Sequence, residues 1–285
     1  ELELVLRQAQ YEVYNFATDN ERRMPETLNP ETPEQVRDAV RWAAKNKTPV
    51  ELIGHSSKRA IGRPGNAGHT LDVSALSGIS LYEPEELVLS AGAGTSLTEI
   101  EDTVAGRDQQ LAFEPPDLSH LLGHDGGKGT LGGNIACNLS GPRRIKAGAA
   151  RDHFLGFQAI SGRGDDYKSG GRVVKNVTGY DLCKLLAGSW GTLGVMTELT
   201  IKVLPTPEKT RTVLVMGLDG DQAVAAMTRA FHSPHDVTGG AWMPLSLAAR
   251  SGASYVRDAG ASVTAIRVEG PGPSVEYRCR VLRED

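Results

Sequence analysis

Apolar and polar positions along this chain fall into short periodic blocks separated by glycine-rich turns. Thr32-Pro33-Glu34-Gln35 reads as an N-cap, a first-turn proline and a capping box. Val36, Val40, Ala43 and Ala44 then recur at helical spacing, so a helix is predicted up to about Asn46. A short strand, Val50 to Ile53, runs directly into the small-residue loop Gly54-His55-Ser56-Ser57-Lys58. Leu71 to Val73 and Leu87 to Ala91 read as strands. Ser96-Leu97-Thr98-Glu99 is a second capping box, and Leu97, Ile100 and Val104 share one helical face that stops at Gly106 before a strand predicted over Gln110 to Phe113. Tyr180 to Ala187 can form a short helix closed by Gly188, and Val195 to Val203 alternates like a half-buried strand. Pro205 and Pro207 end that strand and mark the clearest boundary in the chain. Beyond them come a strand (211–217), a helix (221–231), two strands (240–243 and 262–268) and a helix from Ser274. This βαββα order is a ferredoxin-like half-sheet lacking its last strand. The fold class expected is α+β.

Composition narrows the function classes. The 285 residues carry 31 basic and 35 acidic side chains, a net charge of −4, with no run of Lys and Arg. Nucleic acid is therefore an improbable partner. No apolar stretch approaches the roughly 20 residues of a membrane-spanning helix. Cys137, Cys183 and Cys279 are odd in number and widely spaced, which supports neither a disulfide framework nor a zinc knuckle and points to a reducing compartment. The first residue is Glu1 rather than Met, so the true start and any targeting segment are expected to lie outside this sequence. Glycine is the unusual feature: the 33 glycines crowd into Gly123 to Gly148 and Gly162 to Gly194, where apolar periodicity argues against disorder. The backbone there is expected to approach something closely.

Three glycine blocks carry the candidate chemistry. Gly54 to Lys58 can turn successive N–H groups into a phosphate nest, although an ordinary turn uses the same residues. Thr130-Leu131-Gly132-Gly133-Asn134, with Asn138 and Ser140-Gly141, suggests backbone pressed on a flat ligand and amide and hydroxyl groups at its polar edge; a surface loop would not explain the interleaved Leu131, Ile135 and Leu139. Gly188 to Val195 places glycines just before a buried strand. Arg143, Arg144, Lys146, Arg151, Asp152 and His153 form a basic run in which Arg144 or Arg151 could bind a carboxylate, the alternative being a solvated loop with an Arg151–Asp152 ion pair. His120, His124 and Asp125 offer metal ligands only superficially, because glycines interrupt any helix, and His232 and His235 flank a proline turn; no metal is expected.

The strings KNVTGYDLCKLLAGSWGTLGVMTELTIKVLP (175–205), TLGGNIACNLSGPRR (130–144), GAARDHFLG (148–156) and LDVSALSGI (71–79) together resemble the FAD-binding subunit of bacterial glycolate oxidase. That family has an FAD domain of the vanillyl-alcohol-oxidase and p-cresol-methylhydroxylase (PCMH) type. The resemblance implies a two-subdomain FAD-binding domain over 28–207, an N-terminal extension over 1–27, and a truncated ferredoxin-like cap over 208–285. It implies that Gly54, His55, Ser56, Ser57 and Lys58 cradle the pyrophosphate. Thr130, Gly132, Gly133, Asn134, Ser140 and Gly141 would line the flavin, and Gly194 and Val195 would touch the adenosine end. Several family members tether FAD through a histidine, but the tethering position here is Ser56 and His55 precedes it, so noncovalent FAD is expected.

The activity implied is an oxidoreductase that passes hydride from a small 2-hydroxy acid to flavin, with no general base identified. The alternative is a noncatalytic flavin-holding or electron-relay subunit, because the HxGDGNxH segment of larger 2-hydroxy-acid dehydrogenases is missing and no cysteine cluster can hold an iron–sulfur centre. A companion FAD-containing catalytic subunit and an iron–sulfur subunit are implied as partners. Localisation would be cytoplasmic, or peripheral at a membrane through a partner. The open sheet edge and the loop Phe231 to Gly240 are the expected docking point.

Overall fold

The computed structural model describes residues 26–63, 65, 67–123, 127–171 and 180–284. They form two compact units. The first comprises 26–111, Pro115–Leu139 and Ala149–Leu204; the second comprises Ala112–Glu114, Ser140–Gly148 and 205–284.

In the first unit, strands β1 (Glu26–Leu28), β2 (Val50–Ile53) and β3 (His69–Asp72) make a parallel sheet in the order β1-β3-β2. Helix α1 (Pro33–Asn46) starts as its sequence requires: Thr32 Oγ1 accepts from Gln35 N–H at 3.3 Å. The Gln35 side chain reaches back to Glu31 N–H at 2.7 Å. Val36, fully buried, packs with Ala39 and Val40 on Leu71 and Val73. Ala44, expected on this face, is exposed.

A five-stranded antiparallel sheet completes the unit, built from β4 (Ile79–Glu83), β5 (Val88–Gly92), β7 (Phe154–Ile160), β8 (Asp166–Gly170) and β9 (Val195–Lys202) in the order β4-β5-β9-β7-β8. As the middle strand, β9 buries residues on both faces, Val195, Met196, Thr197, Leu199, Thr200 and Ile201, so the half-buried reading of its alternation does not hold. Helix α2 (Leu97–Ala105) packs Leu97, Ile100 and Val104 inward as expected, and Gly106 caps it. The strand expected over Gln110 to Phe113 shrinks to β6 (Gln109–Gln110), because Leu111 to Phe113 bury their side chains without joining a ladder. Short helices α3 (Ser119–Leu122), α4 (Leu131–Cys137), α6 (Ala150–His153) and α7 (Leu182–Leu186) fill the connections.

The second unit holds helix α5 (Arg144–Ala147) and, after β10 (Leu204–Pro205), the elements β11 (Lys209–Met216), α8 (Gly220–His232), β12 (Val237–Met243), α9 (Leu245–Ala248), α10 (Ser254–Arg257), β13 (Val263–Gly270) and α11 (Gly272–Glu284). Its antiparallel sheet runs β11-β13-β12, the ferredoxin-like order, and β11 has only β13 beside it among the described residues. Val213, Ala230, Val237, Ile266, Val268, Val275 and Cys279 form its core. The expected loop Phe231 to Gly240 is shorter than the sequence suggests, because Val237 already enters β12. An added Cβ at Gly240 would lie 3.0 Å from the Phe231 ring, so that glycine is fixed by packing rather than by a turn.

Candidate functional site

The glycine block at 130–137 is helical. Thr130 caps α4 by accepting from Gly133 N–H at 3.2 Å, and Leu131 and Ile135 fall on the buried face. Gly132 lets this helix lie directly on the end of β5: its N–H donates to the Ala93 carbonyl at 2.9 Å, and an added Cβ would sit 2.9 Å from that oxygen. Gly54, which follows β2, is held equally close to Thr130, whose hydroxyl would be 2.7 Å from a Cβ at Gly54. Gly188 and Trp190 N–H groups donate to the Ile135 and Ala136 carbonyls at 3.2 and 2.9 Å. Three segments far apart in sequence, 54–58, 129–138 and 188–191, thus converge around α4. Ser56 (φ 55°), Asn138 (φ 51°) and Trp190 (φ 54°) each adopt left-handed backbone on one of these segments, a conformation uncommon for residues other than glycine.

Lys58 supplies the charge of this cradle. Its ammonium is partly buried and donates to Ser57 Oγ at 2.9 Å and to the Lys128 carbonyl at 2.6 Å, leaving one of its three N–H groups without a described partner. Among the described residues no carboxylate forms an ion pair with it. Burial pushes its pKa below the ordinary lysine value, and the same environment raises the neighbouring Cys137 thiol to about 11. The cation is held in place at second hand, since Lys128 is fixed by Glu101 through bonds of 2.7 and 2.8 Å. Asn134 is fully buried in α4; its Nδ2 donates to the Leu139 carbonyl at 3.1 Å, while its Oδ1 has no partner among the described residues. A desolvated cation that no described carboxylate pairs, a half-buried Gly133 whose Cβ position meets only the Thr130 hydroxyl and an orphaned buried acceptor fit the pyrophosphate and polar ring edge of a dinucleotide.

The remaining candidates are distributed as follows. His55 is exposed and Ser57 partly buried in the loop. An added Cβ at Gly194 (φ 155°) would lie 2.7 Å from the Tyr167 hydroxyl, and Val195 is buried in the core with Val36 and Leu71, so this pair can offer a ligand backbone only. Ser140 and Gly141 belong to the second unit, where an added Cβ at Gly141 would sit 2.8 Å from the Glu114 carbonyl.

The basic run divides. Arg143 is drawn into a cluster of charges: its guanidinium grips Glu269 at 2.7 and 2.9 Å and its N–H donates to Glu114 at 2.6 Å. Arg267 grips Glu114 through both oxygens at 2.8 and 2.9 Å. Lys146 pairs with Asp236. The expected Arg151–Asp152 pair is replaced by Lys184–Asp152 at 3.0 Å, because Asp152 turns back to cap α6 through Ala149 N–H at 2.9 Å. Arg144, in the second unit, and Arg151, in the first, are exposed, with side chains making no described hydrogen bond or ion pair.

Sequence reasoning did not find Glu114, Arg267 and Glu269, whose separations give no local signal. His124, Asp125 and the 175–179 part of the motif lie outside the described residues. Among the described residues no three His, Cys, Asp or Glu side chains gather into a metal-binding group. No described helix is long and apolar enough to cross a membrane.

Residues 26–168, half of the chain, match the family described as FAD binding domain, and the chain belongs to that family. It is 46% identical over 170 residues, 60% of this chain and 46% of the relative, to the glycolate oxidase subunit GlcE of Escherichia coli (strain K12). It is 29% identical over 219 residues, 76% of this chain and 45% of the relative, to the glycolate oxidase subunit GlcD of Bacillus subtilis (strain 168). The chain thus spans about half the length of the curated relatives it matches. Among solved structures an alkyldihydroxyacetonephosphate synthase shares the fold, with a TM-score of 0.70 at 20% identity over 90% of this chain and 49% of that one.

Proposed function

We propose that this chain is the FAD-binding subunit of a glycolate oxidase-like oxidoreductase acting on a small 2-hydroxy acid. The observation that carries the reading is the cradle around α4, with the partly buried Lys58 ammonium, which no described carboxylate pairs, at its polar end. Its agreement with the family match and with relatives named glycolate oxidase subunits supports the assignment. Bound FAD supplies the two-electron acceptor. Lys58 and the amides of 54–58 would hold the pyrophosphate, and the half-buried Gly133 would offer backbone to the ring system. Ser56 leaves the cofactor untethered. Arg151 or Arg144 binds the substrate carboxylate, each being an exposed guanidinium with its fork open. A companion flavoprotein subunit and an iron–sulfur subunit complete the electron path in this reading, and a partner subunit gives any membrane association.

Two measurements test it. Lys58→Met should weaken FAD binding by about tenfold or more, the loss expected for one charge-assisted hydrogen bond, in a flavin fluorescence titration. Anaerobic addition of glycolate or D-lactate to the FAD-loaded chain should bleach the flavin absorbance. A chain that binds no FAD, or whose flavin stays oxidised with both acids, alone and with companion subunits, overturns the proposal.

A further inference from the structure

We infer that the second unit carries a separate binding site, centred on Arg278, for an organic carboxylate with an apolar body. A cavity of about 490 Å³ opens in that unit between α11, the turn before β12 and α5. Arg278, on α11, lines it although the residue is only 8% exposed. Its guanidinium donates from Nε to the Ser274 carbonyl at 3.3 Å, from Nη1 to the His235 carbonyl at 3.0 Å and from Nη2 to the Glu269 carbonyl at 2.7 Å. These bonds occupy three of the five N–H donors of an arginine and all end on neutral oxygens.

No carboxylate forms an ion pair with Arg278 among the described residues, although buried arginines are ordinarily paired. The other charges around the cavity are already matched. Glu269 is gripped by Arg143 at 2.7 Å, and Asp236, which feels the field of Arg278, is held by Lys146. With Glu269 matched by Arg143 from outside the lining, Arg278 is left as the one cation of the cavity wall that no described carboxylate pairs, and two of its donors have no described partner.

A planar fork of that kind matches a carboxylate in shape as well as charge. Pro234, Pro271 and the half-exposed Tyr277 ring supply apolar wall, which an ion as small and hydrated as phosphate would leave unused. The residues of this site are distinct from those of the flavin cradle, so the inference stands whether or not the cradle reading holds.

The test is titration calorimetry of the FAD-loaded full chain with benzoate, hexanoate and inorganic phosphate. Benzoate or hexanoate should saturate one site per chain with a Kd of about 1 mM or below, and phosphate should bind more weakly. Tyr277→Ala, at an exposed position, should weaken that binding by about tenfold or more. Arg278→Met should abolish it, and Lys58→Met should leave it unchanged. If Arg278→Met does not fold, Tyr277→Ala decides. Absence of saturable binding by the native chain, tighter binding of phosphate, or binding that Tyr277→Ala leaves untouched would overturn the inference and reduce Arg278 to a staple between backbone carbonyls.

Discussion

Glycines that look alike in sequence have different physical jobs in the first unit. Gly132 is required by packing, since an added Cβ would sit 2.9 Å from both the Cβ and the carbonyl oxygen of Ala93. Gly133, one residue on, would meet only the Thr130 hydroxyl, at 3.1 Å, and Gly68 would meet nothing within 4 Å. Gly132→Val should therefore lower the melting temperature outright. Gly133→Val should fold nearly as well as the native chain but lose FAD affinity by more than about tenfold, because its missing side chain leaves backbone open to the ring system. Gly68→Val should change neither property. Equal FAD affinity in folded Gly133→Val and native protein would show that the glycine serves the helix alone. Ser56 sharpens a second expectation at this scale: if it stands, as the resemblance implies, where relatives tether the flavin, its hydroxyl forms no stable bond to the ring, so acid or detergent denaturation should release all of the cofactor. A yellow band remaining with the polypeptide on a denaturing gel would contradict this.

At the scale of elements, the sequence was legible wherever one local device decided the outcome. Thr32 and Pro33 set the start of α1, Ser96 and Gly106 bounded α2, and the pattern of the second unit yielded all three of its strands and both long helices. Failures came where tertiary context decides. β9 alternates in sequence, yet β5 and β7 flank it and both its faces are covered, a fact that depends on strand order rather than on its own residues. β7 and β8 were hidden because Phe154 to Ile160 follows a polar run and β8 is mostly exposed. The candidate cradle was legible as three glycine blocks. That the middle block is a helix was visible only in the Leu131 and Ile135 spacing, which two glycines obscure. Strand β9 also supplies a test: Leu199 is fully buried between Ala91 and Phe157, so Leu199→Ala should cost about 2–5 kcal/mol. Glu198→Ala on the same strand removes only bonds of 2.9 Å to Ser80 and Gln158 near the surface and should cost under about 1.5 kcal/mol by urea denaturation. Similar losses for the two would mean that the sheet is not organised around β9.

For the molecule as a whole, the chain passes twice into the second unit, at Ala112–Glu114 and at Ser140–Gly148, before entering it for good at Pro205. The four charges Glu114, Arg143, Arg267 and Glu269 fasten both inserted segments to β13. Burial by itself would push the Glu114 and Glu269 carboxyls up, but the arginine forks, aided at Glu114 by Arg143 N–H, outweigh it and hold both below the ordinary glutamate range. Carboxyls with depressed folded-state pKa values contribute stability that is complete above the unfolded value of about 4.3 and is lost as pH falls through the folded-state value. Arg267→Met leaves Glu114 with the Arg143 backbone N–H at 2.6 Å and the more distant Arg143 guanidinium at 3.5 Å, so the loss of the fork should raise its pKa and the carboxyl should protonate at higher pH. That variant should lose roughly 3 kcal/mol at neutral pH and unfold its second unit at a higher pH than the native chain. Trp242 reports on this unit, since the other two tryptophans, Trp42 and Trp190, lie in the first; replacing both by Phe isolates its fluorescence. An acid midpoint that is the same with and without Arg267 would mean that the cluster contributes nothing through its charges, and that the inserted segments are held by other contacts such as the Lys146–Asp236 pair.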